Sequence, residues 1–228
     1  AASDVYKRQQ LDNLYIFKNT EGTPENIRKF HPNIIVSSTG SAPLLPPIAG
    51  LKDRIDNEKH NIYSILGMIS HINDFPKDLE GKKVVVVGGG AVGLDVVEFF
   101  ADRNADISIV EMMDQIGRDL DPVSKNDTKT MMKKHNVHQL TKTALLEVKD
   151  SSFLVRGDGE PYELPFEYGF VCLGMRAQGQ LYQNLTEEFS SEDVEIMNIG
   201  DSQRARRIID GTQEGRNILT ILEQKGYL

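Results

Sequence analysis

The sequence predicts an α/β protein with a doubly wound parallel sheet that also carries an antiparallel meander. An apolar run at residues 84–87 leads directly into a glycine-rich turn, and a segment with helical apolar spacing follows. A second apolar strand is predicted at residues 107–110, which completes the strand–helix–strand order of a parallel unit. Three short strands separated by turn residues between positions 144 and 164 indicate the meander.

The elements before the glycine-rich turn are short. Thr23 and Pro24 have the residue types of a helix cap and a first helical position, so we predict a helix that ends near residue 30. A buried strand is predicted at residues 33–38. Residues 41–50 contain too many prolines for regular structure and are predicted to form an extended crossover. Apolar residues between 55 and 76 recur at helical spacing, which predicts one helix there.

Later elements alternate between helices and strands. We predict a helix at residues 92–103 and another at 122–135, with Asp121 as its cap and basic residues in its last turn. The meander strands are predicted at residues 144–148, 153–156 and 162–164. A strand at 169–173 returns to the parallel sheet, and a strand at 194–199 precedes a final helix at 212–224.

The glycine-rich turn has the G-x-G-x-x-G spacing of a dinucleotide-binding loop. Gly88 permits a tight turn out of the strand, Gly90 has no Cβ to obstruct a pyrophosphate, and Gly93 lets the helix pack closely on the sheet. The helix start supplies backbone N–H groups for phosphates. We therefore predict a Rossmann-like domain, although a glycine-rich turn in an ordinary βαβ unit has the same pattern. The predicted cofactor-binding residues of this loop are Gly88, Gly89, Gly90, Ala91, Val92 and Gly93.

Glu111 ends the second strand at the position expected for an acid that binds ribose. Its carboxylate can accept hydrogen bonds from a ribose 2′-hydroxyl, whereas it would repel a 2′-phosphate. The next two residues, Met112 and Met113, offer no guanidinium to hold such a phosphate. The sequence thus favours NAD(H) over NADP(H), the alternative being that Glu111 is a solvated charge at a strand end.

Composition narrows the possible partners. The formal net charge is −8, which argues against nucleic acid as a partner. The short basic cluster of Arg204, Arg206 and Arg207 is more consistent with binding of a local anion or with a solvated turn. The longest uncharged apolar stretch is far shorter than the ~20 residues of a membrane span. Residues 1–10 lack the apolar centre of a secretory signal, and the sequence does not begin with Met. We expect a cytoplasmic protein without a membrane partner, and a sequence boundary near residue 1.

The single cysteine, Cys172, lies in an apolar strand, where a buried thiol is the expected state. One cysteine cannot form an intrachain disulfide, a redox dithiol or a four-cysteine iron–sulfur cluster. The histidines have no spacing typical of a metal site or a catalytic triad. We therefore predict no catalytic acid, base or nucleophile and no metal ligand in this chain. The histidines are interpreted as surface, helix-end or loop residues, and they are His31, His60, His71, His135 and His138.

In this order the motifs resemble the flavoprotein oxidoreductases that bind two dinucleotides. Within them the chain is similar to the NADH:flavin oxidoreductase family that includes 2,4-dienoyl-CoA reductase. The resemblance covers about residues 14–226 and rests on four motifs. They are Ser38-Thr39-Gly40 with the run at 46–50, the glycine loop with Glu111, Leu173-Gly174-Met175-Arg176, and Ile199-Gly200-Asp201 followed by residues 208–211.

The resemblance implies how the chain is organised. Residues 1–80 would form the N-terminal part of a partial FAD-binding domain and a crossover, 81–174 the NAD(H)-binding domain, and 175–228 the return to the FAD-binding domain. The NAD(H) domain would thus be inserted into the FAD domain. Carried over to matching positions, the further cofactor-binding residues would be Thr39, Gly40, Gly174, Gly200 and Asp201.

The resemblance also implies a function and a missing part. NADH would pass a hydride to FAD, and an N-terminal barrel with flavin mononucleotide and an iron–sulfur cluster would pass electrons onward. This chain lacks the barrel, the cysteine cluster and a first FAD fingerprint, so the FAD site here would be incomplete. Ser38 replaces the family's usual alanine, which is a mild change because a small hydroxyl can bond locally without altering the strand. Two alternatives are a stand-alone NAD(H)-binding regulatory module and a ferredoxin-reductase-like flavoenzyme.

Overall fold

A computed structural model describes residues 13–227 and divides them into two compact units. One unit comprises Ser41–Ala177, and the other combines the described residues through Gly40 with those from Gln178 onward. The segment 1–10, for which we predict no signal sequence, lies outside the described residues. The first unit is continuous in sequence, whereas the second is assembled from two separate segments.

The continuous unit contains a five-stranded sheet in which all neighbouring strands are parallel. Its strands are β3 at Ile62–Tyr63, β4 at Lys83–Val87, β5 at Asp106–Val110, β6 at His138–Leu140 and β10 at Tyr168–Val171. Their order in the sheet is β3-β10-β4-β5-β6. The predicted α/β class with a parallel sheet is confirmed, and the strand β6 was not predicted.

Both faces of this sheet are covered, which explains why β4 is apolar at every buried position. Val84 and Val86 pack in one hydrophobic cluster with Phe100, whereas Val85 and Val87 pack in another. Side chains alternate between the two faces of a strand, so an uninterrupted valine run is typical of a strand buried on both sides.

Helices cover the first face. The helix α4 spans Ala91–Ala101, two residues shorter at its end than predicted, and buries Leu94, Val96, Val97 and Phe100. The helix α5 spans Pro122–Lys134, and the Asp121 carboxylate caps it by accepting hydrogen bonds from the backbone N–H groups of Val123 and Ser124. The short helix α3 at Ile65–Ser70 adds Met68 to the cluster on this face, whereas the short helix α2 at Leu51–Arg54 packs Leu51 in the cluster on the second face.

The predicted meander contributes to the second face. Its strands are β7 at Ala144–Val148, β8 at Ser152–Arg156 and β9 at Tyr162–Pro165, and both pairings are antiparallel. Val148, Phe153 and Val155 of the meander pack in the same cluster as Val85 and Val87. The three predicted strands and their order are therefore confirmed.

Two local predictions in the continuous unit are wrong. Residues 41–50 contain a short strand, β2 at Ser41–Pro43, which pairs antiparallel with the unpredicted strand β11 at Met175–Ala177. The apolar stripe at 62–72 is not one helix, because Ile62 and Tyr63 pair with β10 at the edge of the sheet. The Ser64 hydroxyl then caps α3 by accepting a hydrogen bond from the N–H of Gly67.

The second unit is built on two parallel strands. These are β1 at Ile34–Ser37 and β12 at Glu195–Asn198, and Ser37 lies opposite Asn198. Thr23 caps the helix α1 at Pro24–Arg28 as predicted. An unpredicted helix, α6, spans Gln180–Glu188. The last helix, α7, spans Ile208–Gln224 and begins four residues earlier than predicted.

The two compact units are divided at Gly40/Ser41 and at Ala177/Gln178, while the domain boundaries at residues 80/81 and 174/175 stay a prediction. Residues 41–80 belong to the continuous unit, because β2 pairs with β11 and β3 pairs with β10. The chain passes between units after Gly40 and again before Gln178.

Candidate dinucleotide-binding site

The glycine loop brings the backbone of β4, β10 and α4 closer together than any side chain would allow. Gly88 has φ +108°, and a Cβ placed on it would lie 2.1 Å from the carbonyl oxygen of Cys172. A Cβ on Gly93 would lie 1.9 Å from the carbonyl oxygen of Gly88. These two glycines are therefore required by packing within the protein itself.

Gly90 is different, because the space around it is open. It is exposed, and apart from Gly90 itself and its two chain neighbours no protein atom lies within 4 Å of the position that its Cβ would occupy. Gly90 precedes α4 and makes no side-chain cap, while its carbonyl oxygen accepts a hydrogen bond from Leu94 N–H at 3.0 Å. The start of α4, at Ala91 and Val92, thus faces a space that can admit an anion.

Glu111 follows β5 and bends back toward the glycine loop. Its Oε2 accepts a hydrogen bond from Gly89 N–H at 2.6 Å, and its Oε1 accepts one from Met113 N–H at 2.7 Å. The backbone of Glu111 is held as well, by Leu140 and Thr143. The acid is therefore fixed beside the loop, with both oxygens engaged by backbone donors.

The carboxyl ends of three adjacent strands meet at this edge of the sheet. Gly88 follows β4, Glu111 follows β5, and Gly174 lies three residues after β10 ends. Gly174 has φ +105° and open space where its Cβ would be. In open parallel sheets this edge is where ligands bind. The structure therefore brings together the predicted residues of the continuous unit, Gly88 to Gly93, Glu111 and Gly174.

Cys172 lies beneath the loop and not in it. The thiol is buried, and burial, with a smaller contribution from the charge of Asp95, raises the pKa of Cys172 to about 12. A thiol is a nucleophile only as its thiolate. The Cys172 thiol is therefore a poor nucleophile at neutral pH, and the backbone of Cys172 is what lies against Gly88.

We expect the native chain to resist thiol reagents such as DTNB at about pH 8, because the Cys172 thiol stays protonated and covered. In denaturant one thiol per chain should react at the ordinary rate. The measurement is the absorbance of released thionitrobenzoate, and rapid reaction of the folded chain would contradict this assignment.

The remaining predicted residues lie in the second unit, again after paired parallel strands. Thr39 and Gly40 follow β1, while Gly200 and Asp201 follow β12, and Ile199 N–H donates to the carbonyl oxygen of Ser37 at 3.0 Å. Gly40 has φ +75° and open space at its Cβ position. The Thr39 hydroxyl donates to the carbonyl oxygen of Gln178 at 2.6 Å.

The Gly200-Asp201 turn is held by residues that the sequence did not single out for this role. Gly200 N–H donates to Glu214 Oε2 at 2.6 Å, and Arg206 forms an ion pair with the other oxygen of the same carboxylate. The hydrogen bond from Gly200 N–H lowers the pKa of Glu214 most, and the bond from Arg206 lowers it further. Asp201 Oδ1 accepts a hydrogen bond from Arg206 N–H at 3.0 Å. Arg206, which we assigned to a basic cluster, thus forms an ion pair with Glu214 within the protein.

Residues 13–227 contain no group of three or more His, Cys, Asp or Glu side chains placed to hold a metal ion. None of their helices combines the length and apolar character that crossing a bilayer requires.

Comparison with known proteins agrees with this geometry. The family profile of the pyridine nucleotide-disulphide oxidoreductases matches residues 10–197. A metal reductase of Desulforamulus reducens is 26% identical to 87% of the chain, and an NADH oxidase of Thermoanaerobacter brockii is 26% identical to 84% of it. The chain spans only 32% and 28% of the lengths of these two relatives.

The fold also matches solved structures. A 2-naphthoyl-CoA reductase in complex with 2-naphthoyl-CoA superposes with a TM-score of 0.71 at 22% identity, over 86% of this chain and 28% of that one. This likeness shows the shared fold, while the family profile covers more than half of the sequence. The chain belongs to the pyridine nucleotide-disulphide oxidoreductase family.

Proposed function

We propose that this chain is the NAD(H)-accepting part of a flavin-dependent oxidoreductase, in which NADH reduces FAD. The observation that carries the proposal is the start of α4, which has no side-chain cap and opens onto free space beside Gly90. Glu111 adjoins it at the end of the neighbouring strand. Backbone N–H groups for a pyrophosphate and an acid for a ribose are the two elements that dinucleotide recognition needs.

The residues have separate tasks in this proposal. The N–H groups from Gly90 to Gly93 bind the pyrophosphate of NADH, and the positive end of the α4 dipole favours the phosphate charge. Glu111 accepts hydrogen bonds from the adenosine ribose and disfavours a 2′-phosphate by charge repulsion. Gly174 lies at the same edge and leaves room for the ligand.

FAD is proposed to contact the second unit at Thr39, Gly40, Gly200 and Asp201. The open space at Gly40 and the shared strand edge support a ligand there, although Gly200 N–H is already bonded to Glu214. When bound, NADH supplies a hydride and FAD accepts it. The protein contributes binding and orientation, and a single buried cysteine cannot form a dithiol within this chain.

The whole enzyme is proposed to resemble 2,4-dienoyl-CoA reductase and to reduce an unsaturated substrate. A barrel domain with flavin mononucleotide and an iron–sulfur cluster, encoded before this chain, would complete it. Relatives about three times as long as this chain support a larger protein, and their names include a bilirubin reductase and a cinnamate reductase. An upstream reading frame that encodes a cysteine cluster would support this proposal, and a start codon near residue 1 would count against it.

Titration of the purified chain with NADH and NADPH tests the cofactor assignment. We expect NADH to bind more tightly, and the Glu111→Ala variant to narrow this preference by about tenfold, roughly 1.4 kcal/mol, because the charge that repels a 2′-phosphate is removed. Tryptophan is absent, so NADH fluorescence can be followed directly. Unchanged discrimination in the variant would refute the role of Glu111.

Flavin content and dye reduction separate this proposal from the alternatives. A chain that binds NADH but retains no FAD and reduces no dye, even when joined to its upstream segment, would favour a regulatory NAD(H)-binding module. NADH-dependent reduction of a ferredoxin after restoration of the first FAD fingerprint alone would favour a ferredoxin-reductase-like flavoenzyme.

A further inference from the structure

Gly89, the middle glycine of the loop, is held at both of its backbone polar groups. Its N–H donates to Glu111 Oε2 at 2.6 Å, and its carbonyl oxygen accepts a hydrogen bond from Gly117 N–H at 2.7 Å. Gly89 is buried, and a Cβ on it would lie 3.0 Å from Glu111 Oε2 and 3.1 Å from Ile116. The centre of the loop is thus attached to two points in the segment that follows β5.

Peptide geometry passes this restraint on to Gly90. The carbonyl of Gly89 and the N–H of Gly90 belong to one planar trans unit and point in opposite directions. A carbonyl bound to Gly117 therefore fixes the direction of the Gly90 N–H, away from Gly117. Within residues 13–227 that N–H has no acceptor. It is free to bind a ligand, whereas the N–H of Gly89 is not.

The Glu111 carboxylate can hold the loop and bind a ribose at the same time. Each carboxylate oxygen has two acceptor positions. One on Oε2 is filled by Gly89 N–H, and one on Oε1 is filled by Met113 N–H. An acceptor position thus remains on each oxygen.

We infer that Glu111 is a positioning residue for the phosphate loop in addition to its proposed contact with ribose. The inference rests on the proposed function. It states that Gly89 N–H is committed to Glu111, and that the pyrophosphate is bound by N–H groups from Gly90 onward. Loss of Glu111 therefore weakens the binding of phosphates that never touch it.

A pair of ligands that differ by one hydroxyl tests this inference. ADP and 2′-deoxy-ADP are titrated calorimetrically into the full chain and its Glu111→Ala variant. We expect the variant to bind both ligands about tenfold more weakly or worse, as for loss of a hydrogen bond to a charged group. If Glu111 binds only the ribose 2′-hydroxyl, affinity for 2′-deoxy-ADP will be unchanged, and the inference is overturned.

Asp114→Ala is the matched control. Asp114 is an exposed carboxylate three residues after Glu111. Its removal changes the charge near the site equally but leaves the Gly89 bond intact, so we expect affinity for both ligands to stay within about twofold. Loss of a negative charge should not weaken the binding of an anion, so a tenfold loss in this control would show that the effect does not require the Gly89 bond and would refute the positioning role.

Glu111→Gln keeps the side-chain volume and provides a second readout without ligand. Its amide oxygen can accept only one of the two backbone N–H groups, because the amide nitrogen is a donor. We expect faster hydrogen exchange at the Gly89 or Met113 amide, measured by NMR, and unchanged exchange at both would contradict the inference. If the wild-type chain binds neither nucleotide, the proposed function fails, and this exchange measurement still decides the positioning role.

Discussion

Replacement of Gly90 by alanine is expected to abolish most NADH binding without loss of stability. The added Cβ meets no protein atom within 4 Å, so the fold should tolerate it. It would occupy the space through which a pyrophosphate approaches the N–H groups at the start of α4. If the ligand loses one charge-assisted hydrogen bond, the cost is about 1.5–3 kcal/mol, or roughly 10- to 150-fold in Kd.

The Gly159→Ala variant provides a matched control for this experiment. Gly159 is also exposed, has no protein atom near its Cβ position, and lies in the turn between β8 and β9. We expect its Tm and its NADH affinity to equal those of the wild type. If Gly90→Ala binds NADH as tightly as Gly159→Ala does, the pyrophosphate does not approach at Gly90, and the proposed site is wrong.

Replacement of Gly88 by alanine is expected to have the largest effect on folding. The residue has φ +108°, and its Cβ would lie 2.1 Å from the backbone oxygen of Cys172, which no side-chain rotation can relieve. Backbone strain of about 1–2 kcal/mol adds to a packing cost of about 1–3 kcal/mol. Chemical denaturation should show a free energy of unfolding lower by about 3 kcal/mol or more.

Gly174→Ala separates the two contributions to this loss. Gly174 has φ +105°, close to that of Gly88, but open space where its Cβ would be. It should therefore show the backbone strain without the steric overlap. Equal losses of stability in the two variants would show that the close approach of Gly88 to Cys172 is unimportant.

The central βαβ unit could be predicted because its signals are local. The valine run of β4, the glycine spacing and the acid at 111 all lie within about one strand and one helix of each other. The valine run of β4 does not by itself show which layers cover the sheet. That the meander packs against Val85 and Val87 depends on contacts between distant segments.

The missed elements depend on pairing over long distances. The strand β2 exists because Ser41–Pro43 meets Met175–Ala177, more than a hundred residues away, and proline content alone argues against it. Ile62 joins the sheet edge beside β10, which overrides its helical spacing. The early start of α7 involves a local contact instead. Residues 208–211 are helical although Gly211 has a low helix propensity, and the Asp210 carboxylate accepts a hydrogen bond from Arg207 N–H at 3.1 Å.

The candidate site was predictable only in part for the same reason. Glu111 could be identified by its offset from the glycine loop, but its bond to Gly89 N–H depends on the three-dimensional path of the loop. Gly117 and Glu214 carried no motif, and each acts through contact with a backbone group distant in sequence. A role carried by a side chain can be predicted from its spacing in the sequence. A hydrogen bond that restrains a backbone group can be found only from the three-dimensional structure.

The location of NADH on the chain is the most direct test of this interpretation. Amide chemical shifts of the isotopically labelled chain, recorded during titration with NADH, report where the ligand binds. We predict the largest changes at Gly90, Ala91, Val92 and Gly93, with smaller ones beside Glu111 and none at Gly159. Changes absent from residues 90–93, or concentrated elsewhere in the chain, would contradict the proposal that this loop is the NAD(H) site.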